Sequence, residues 1–116
     1  QMVDKFVARG AASFVAQLRN AQEGGDMLVS LILTKETLVV AQKPSYKMVH
    51  TLKFQNGLKA FPVPRDPSSL ILLASELTEP LVFGCGQASL VINTVDAFSK
   101  RLGATTAMPA LPAKKS

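Results

Sequence analysis

The stretch Gln87 to Leu102, QASLVINTVDAFSKRL, decides the reading of this chain. Its residues Ala88, Val91, Ile92, Val95, Phe98 and Leu102 recur at the spacing of a helix that buries one stripe. Asn93, Asp96, Ser99 and Lys100 fall on the opposite side. Gly103 stands where a helix-ending glycine is expected, and Lys100 and Arg101 where cations complement a helix C-terminus. The spacing therefore predicts one amphipathic helix near the end of the chain.

Upstream of it the apolar period shortens to two, and seven strands are predicted. They run Ser13–Arg19, Met27–Thr34, Thr37–Gln42, Met48–Gln55, Leu58–Val63, Ser69–Leu77 and Leu81–Cys85. In the first, Phe14, Ala16 and Leu18 share a face; in the fourth, His50, Leu52 and Phe54 do. The second is apolar almost throughout, which predicts burial on both faces, with the N-terminal segment as cover. The turns follow from Asn20–Asp26 (NAQEGGD), Lys35-Glu36, Lys43–Lys47 (KPSYK) and Thr78-Glu79-Pro80. Asn56-Gly57 predicts a hairpin between the fourth and fifth strands. Pro62, Pro64 and Pro67 are expected to end pairing after the fifth strand and to leave part of a sheet edge open. Val3–Ala12 reads as a short helix or irregular lead-in. From Ala104 onward, Ala, Thr, Pro and Lys predict a disordered tail. The organisation is thus a lead-in over 1–12, one domain over 13–103 and a tail over 104–116.

With 116 residues, 47% of them hydrophobic, the chain has the composition of one globular domain. Its longest apolar run, Met27–Leu33, is interrupted by Ser30 and falls far short of the roughly 20 residues that span a bilayer. Cys85 is the single cysteine, which excludes an internal disulfide and fits a reducing compartment. A start at Gln1 suggests a truncated or processed chain, so the absence of an N-terminal lipidation or targeting signal here is uninformative. The net charge of +5 suits an acidic surface, but the cations are scattered and Lys114 and Lys115 sit in the tail. Nucleic acid is not expected, because one tyrosine and no tryptophan leave few stacking platforms.

Few residues point to chemistry. A nucleophilic cysteine needs a base and an electropositive setting. Cys85 and His50 are the one formal Cys–His pair, and nothing in the sequence places them together. Cys85 follows Phe83 at strand spacing and reads as a small packed group; His50 reads as a half-buried structural histidine. One Cys and one His do not make a zinc site, and the glycines form no phosphate cradle. No catalytic residue, metal ligand, cofactor or small-molecule substrate is expected. Lys43, Tyr46 and Lys47 in the KPSYK loop are candidates for contact with anionic lipid or an acidic partner. Phe61, Val63 and Arg65, beside the proline cluster, are candidates for a partner surface.

Seven strands, an early run of hairpins and a C-terminal amphipathic helix resemble the pleckstrin homology fold over roughly Phe14 to Leu102. That resemblance implies a mainly β domain, a seven-stranded antiparallel, partly open barrel capped by the C-terminal helix. The family's helix usually carries a tryptophan; here Phe98 takes that place. Phosphoinositide-binding members place several cations on the first two strands and their connection. The matching segment, Leu18-Arg19-Asn20-Ala21-Gln22-Glu23-Gly24-Gly25-Asp26-Met27, offers one arginine against two carboxylates, so the usual headgroup site is expected to be absent. The acidic GGD turn before MLVSLIL, the chain size and the terminal helix are also similar to the inner membrane complex sub-compartment proteins of apicomplexan parasites. This narrower resemblance implies a non-enzymatic scaffold in daughter-cell assembly, lipid-anchored on the cytoplasmic face of an internal membrane and binding proteins. The alternatives are an anionic-lipid module, for phosphoinositide or phosphatidic acid, and a small enzyme using Cys85.

Overall fold

The computed structural model describes the backbone of residues 2–21 and 25–110, and the side chains of 2–19 and 25–101. A short helix, α1 (Met2–Arg9), precedes β1 (Ala12–Ala21), β2 (Gly25–Leu33), β3 (Thr37–Gln42) and β4 (Lys47–Lys53). A 3-10 turn over Phe54–Asn56 leads into β5 (Lys59–Val63), β6 (Asp66–Leu73), β7 (Leu81–Gly84) and finally α2 (Ala88–Ala110). The strands form one antiparallel sheet in the order β4-β3-β2-β1-β7-β6-β5, so β4 and β5 are its two open edges. The expected count of seven strands and the terminal helix are both present.

Alternation builds the inner face. Phe14, Ala16 and Leu18 of β1 are buried, as are Val29, Leu31 and Leu33 of β2, and Phe14 stands opposite Leu31. Leu38, Val40 and Leu52 from the β1–β4 half share one core with Leu70, Leu72 and Phe83 from the β5–β7 half. A shared core requires the sheet to curl so that its two halves face each other. α2 closes the opening with Ala88, Val91, Val95 and Phe98, all buried, on the predicted stripe. Phe98 meets Phe54 at 5.8 Å between ring centroids, in the place where the resemblance implied a tryptophan. Each such buried side chain contributes about 1.5–3 kcal/mol.

Several boundaries differ from expectation. Asn56-Gly57 forms no hairpin: Gly57, at φ +78°, ends the 3-10 turn, and β4 and β5 lie at opposite edges of the sheet. The dipeptide supplies the positive φ, but here that φ turns a corner instead of joining paired strands. Phe54, expected in the fourth strand, is buried from the 3-10 turn. The prolines do not end pairing: Pro62 stands opposite Leu70, Val63 opposite Asp66, and β5 and β6 form a hairpin around Pro64-Arg65. Proline is tolerated there because β5 is an edge strand, one side of which needs no ladder donor. β6 begins at Asp66, takes in Pro67, and stops at Leu73, short of the expected Leu77.

β2 is covered on both faces only from Val29 to Leu33, where outward Ser30 is buried and Ile32 half-buried, while Leu28 is exposed; α1 packs against the core through Phe6 and Val7, and against α2. Phe6 sits edge-on to Phe14, and the Arg101 guanidinium donates to the Val7 carbonyl. α2 continues past Gly103 to Ala110, so residues 104–110 extend the helix and Lys100 and Arg101 are not in its last turn. Lys100 pairs instead with Asp96 one turn back, at 3.2 Å. Alanine, the best helix former, recurs through that extension. Residues 22–24 of the expected GG turn and residues 111–116 of the expected tail lie outside the described residues.

Candidate functional site

One end of the curled sheet opens into a cleft of about 520 Å³. Leu18 and Arg19 of β1, Met27 of β2, Val49 and His50 of β4, and the β6–β7 connection from Glu76 to Leu81 line it. Its apolar walls come from Leu18, Met27, Val49, Leu77, Pro80 and Leu81. Arg19 is the sole Lys or Arg among these lining residues, against Glu76 and Glu79. Val49 is the extra residue of an irregularity in β4, between His50, opposite Val40, and Met48, opposite Ala41. Such a bulge re-aims neighbouring side chains, and both Val49 and His50 reach the cleft.

The charged groups here are largely engaged. Glu76 Oε2 accepts from the Lys53 N–H at 2.9 Å and from Asn56 Nδ2 at 2.8 Å, pinning the β6–β7 connection to the end of β4. Burial raises the Glu76 pKa, but these hydrogen bonds outweigh it and hold the carboxyl below its usual range. Arg19 leans toward Asp66, with Nη1 4.0 Å from Oδ2, over Gly84. A Cβ on Gly84 would come within 2.5 Å of Arg19 Nη2, so glycine leaves the guanidinium its path. Asp66 also accepts from Ser69 Oγ at 2.7 Å and the Ser68 N–H at 3.1 Å, and these bonds lower its pKa. His50 is half-buried and its pKa is lowered by that burial.

The structure brings Lys43, Tyr46 and Lys47 together at the β3–β4 turn. The peptide before Pro44 is cis, Tyr46 has φ +59°, and its N–H donates to the Gln42 carbonyl at 2.6 Å. Lys43 Nζ lies 5.6 Å from the Tyr46 ring centroid. Phe61 is 41% exposed, Val63 is half-buried, and Arg65 is exposed at the β5–β6 turn with φ +67°. Phe61 stands in one row with Ile71 and Val82, both half-buried, with exposed Leu73 beside it on β6. Sequence reading missed that row, because the prolines were expected to end pairing after the fifth strand; register is what aligns it.

Cys85 and His50 are not brought together. Cys85 is buried just after β7 with Sγ 3.4 Å from the Val15 carbonyl, whereas His50 lies on β4, with three strands between. Among the described residues, no three His, Cys, Asp or Glu side chains are placed to hold a metal ion. Nor is any described helix long and apolar enough to cross a membrane.

This architecture, a seven-stranded antiparallel sheet curled around a core and closed by a C-terminal helix, is a pleckstrin homology-like fold. The PH domain of human oxysterol binding protein-related protein 11 superposes with a TM-score of 0.63 at 11% identity, covering 78% of this chain and 81% of that one. The Slm1 PH domain in complex with phosphoserine gives 0.62 at 12% identity, covering 77% and 94%. The DH/PH domain of human ARHGEF11, in a ternary complex with human RhoA and its inhibitor, gives 0.65 at 13% identity. The match covers 78% of this chain but 28% of that longer chain. No family model matches the sequence, and no curated protein matches it.

Proposed function

We propose that this chain is a non-enzymatic interaction module that binds protein partners, and that its open end is not a phosphoinositide site. The observation that carries the reading is the row Phe61–Ile71–Val82, exposed at Phe61 and half-buried at Ile71 and Val82, with exposed Leu73 beside it, on the outer face near the β5 edge. An apolar row with Arg65 at its rim suits a protein surface. Pro62 removes one edge donor, so docking there is led by side chains more than by an added strand. At the open end the lining holds one arginine, turned toward Asp66, and two glutamates among mainly apolar walls, which gives a multiply charged phosphate little attraction. The similar structures of the same fold include a complex with a protein and one with phosphoserine.

In this reading the module is a scaffold held at a membrane through N-terminal lipidation before Gln1. The compartment is the cytoplasmic face of an internal membrane, the inner membrane complex being the one implied by the sequence resemblance, with a role in cell division. The test places a photo-crosslinking amino acid at Val63 of the protein in its native cells. A discrete crosslinked partner, lost with Phe61→Asp in a variant that melts like wild type, is the expected result. A crosslink indifferent to Phe61→Asp would count against this surface.

A further inference from the structure

The outer face of the β1–β4 half carries a second patch. One row crosses four strands: Val15, Ser30, Ala41 and Met48 are successive partners in register. Its ends protrude, with Val15 53% and Met48 66% exposed, while the small Ser30 and Ala41 between them are buried. Leu28, also exposed, flanks the row, and its carbonyl accepts the Lys43 N–H at 3.0 Å, which ties it to the β3–β4 turn. Tyr46, 55% exposed, stands at that turn. Four of the seven most exposed large apolar side chains among the described residues are therefore on this face or its rim.

The turn is built to display them. Tyr46 adopts a left-handed backbone that non-glycine residues rarely take. It is held there by its own N–H bond to Gln42, with Ser45 Oγ accepting from the Lys47 N–H at 3.4 Å. Lys43 and Lys47 form no ion pair among the described residues. The nearby carboxylate on β2 is Asp26, exposed two residues beyond Leu28.

We propose that this patch is a membrane-contact face that lies against an anionic bilayer, with no selectivity for a particular headgroup. Tyr46, Met48 and Leu28 enter the headgroup layer, and Lys43 and Lys47 meet lipid anions at its rim. Two features favour a bilayer over a protein here. Lysine is depleted from protein interfaces, whereas its stem lies readily on an apolar surface with the ammonium among headgroups. Tyrosine favours the membrane–water boundary, and lysines near an anionic leaflet add attraction. The inference stands apart from the protein-binding reading, which concerns the β5–β7 half.

The test is vesicle co-sedimentation of the whole chain with phosphatidylcholine alone and with phosphatidylcholine containing phosphatidylserine. Expected is binding to the anionic vesicles only, weakened by added salt. Lys43→Glu with Lys47→Glu should lower it by roughly tenfold or more. Tyr46→Ser with Met48→Ser should also lower it while leaving the salt dependence in place. Excess soluble inositol polyphosphate should not compete. All four positions are at the surface turn or its edge, and a thermal melt of each variant checks its fold. Failure to bind anionic vesicles, or equal binding by wild type and the double-lysine variant, overturns the proposal. So does competition by the soluble polyphosphate together with loss on Arg19→Gln, which would place binding in the cleft. Protection of the patch by a protein partner in the absence of vesicle binding overturns it as well.

Discussion

Phe98 shows how one side chain carries the closing of the sheet. It is buried on α2 and packs against Phe54, which the chain delivers from a 3-10 turn. Phe98→Ala is expected to cost about 3–5 kcal/mol by urea unfolding. The double variant with Phe54→Ala should fall short of additivity, because each removes the other's contact. His50 sets a pH dependence. Burial lowers its pKa below 6.5, so the unfolded chain binds the proton more readily than the folded one. That contribution is complete above pH 6.5 and is lost as pH falls through that value toward the folded pKa. Glu76 and Asp66, also lowered, add a second loss as pH falls below 4.5 and 3.8 respectively. The melting temperature should thus drop from about pH 7 to about pH 5, and His50→Gln should remove this first decline. Half-burial of His50 was readable from its alternation with Leu52; the bulge at Val49 that brings it to the cleft was not, because no residue type marks it.

At the scale of elements, the sequence is most legible where alternation is strict and least where turn residues have two uses. β3 matches its predicted span, Thr37–Gln42, and the helix stripe from Ala88 to Phe98 is the buried one. Asn56-Gly57 shows the limit: the dipeptide specifies a positive φ at Gly57 but not which strands flank it. The prolines show another, since their cost in a sheet depends on whether the strand is an edge, and that is a property of the assembled topology. The β6–β7 connection is tied down by one carboxylate. Glu76→Ala removes two hydrogen bonds at an exposed site and should cost about 1 kcal/mol. Amide exchange at residues 75–79 should quicken more than in the core strands. At the β5–β6 turn, Arg65 pays for φ +67°, and Arg65→Gly should leave stability unchanged or raise it by up to about 1 kcal/mol. That variant separates the turn's conformation from any contact its guanidinium makes.

Across the whole molecule, three surfaces stand out. A curled sheet with one shared core leaves an open-end cleft, an apolar row on the β5–β7 half and an apolar patch on the β1–β4 half. The fold class was legible from seven strand-like runs followed by one helical stripe, together with the pleckstrin homology resemblance that this order carries. The surfaces were legible only in part. Lys43, Tyr46, Lys47 and Phe61 stood out as residues, but their neighbours Leu28, Met48, Ile71 and Val82 join them only through strand register. The cleft was not legible in the sequence: its apolar walls emerge only when β4 and the β6–β7 connection converge. The proposed reading depends on that cleft being a poor phosphate site. An NMR titration of the isotopically labelled chain with soluble inositol polyphosphate tests this directly. The account predicts no saturable shift at the amides of Arg19, Met27, His50, Leu77 and Leu81. A saturable shift at those amides, abolished by Arg19→Gln, would contradict it.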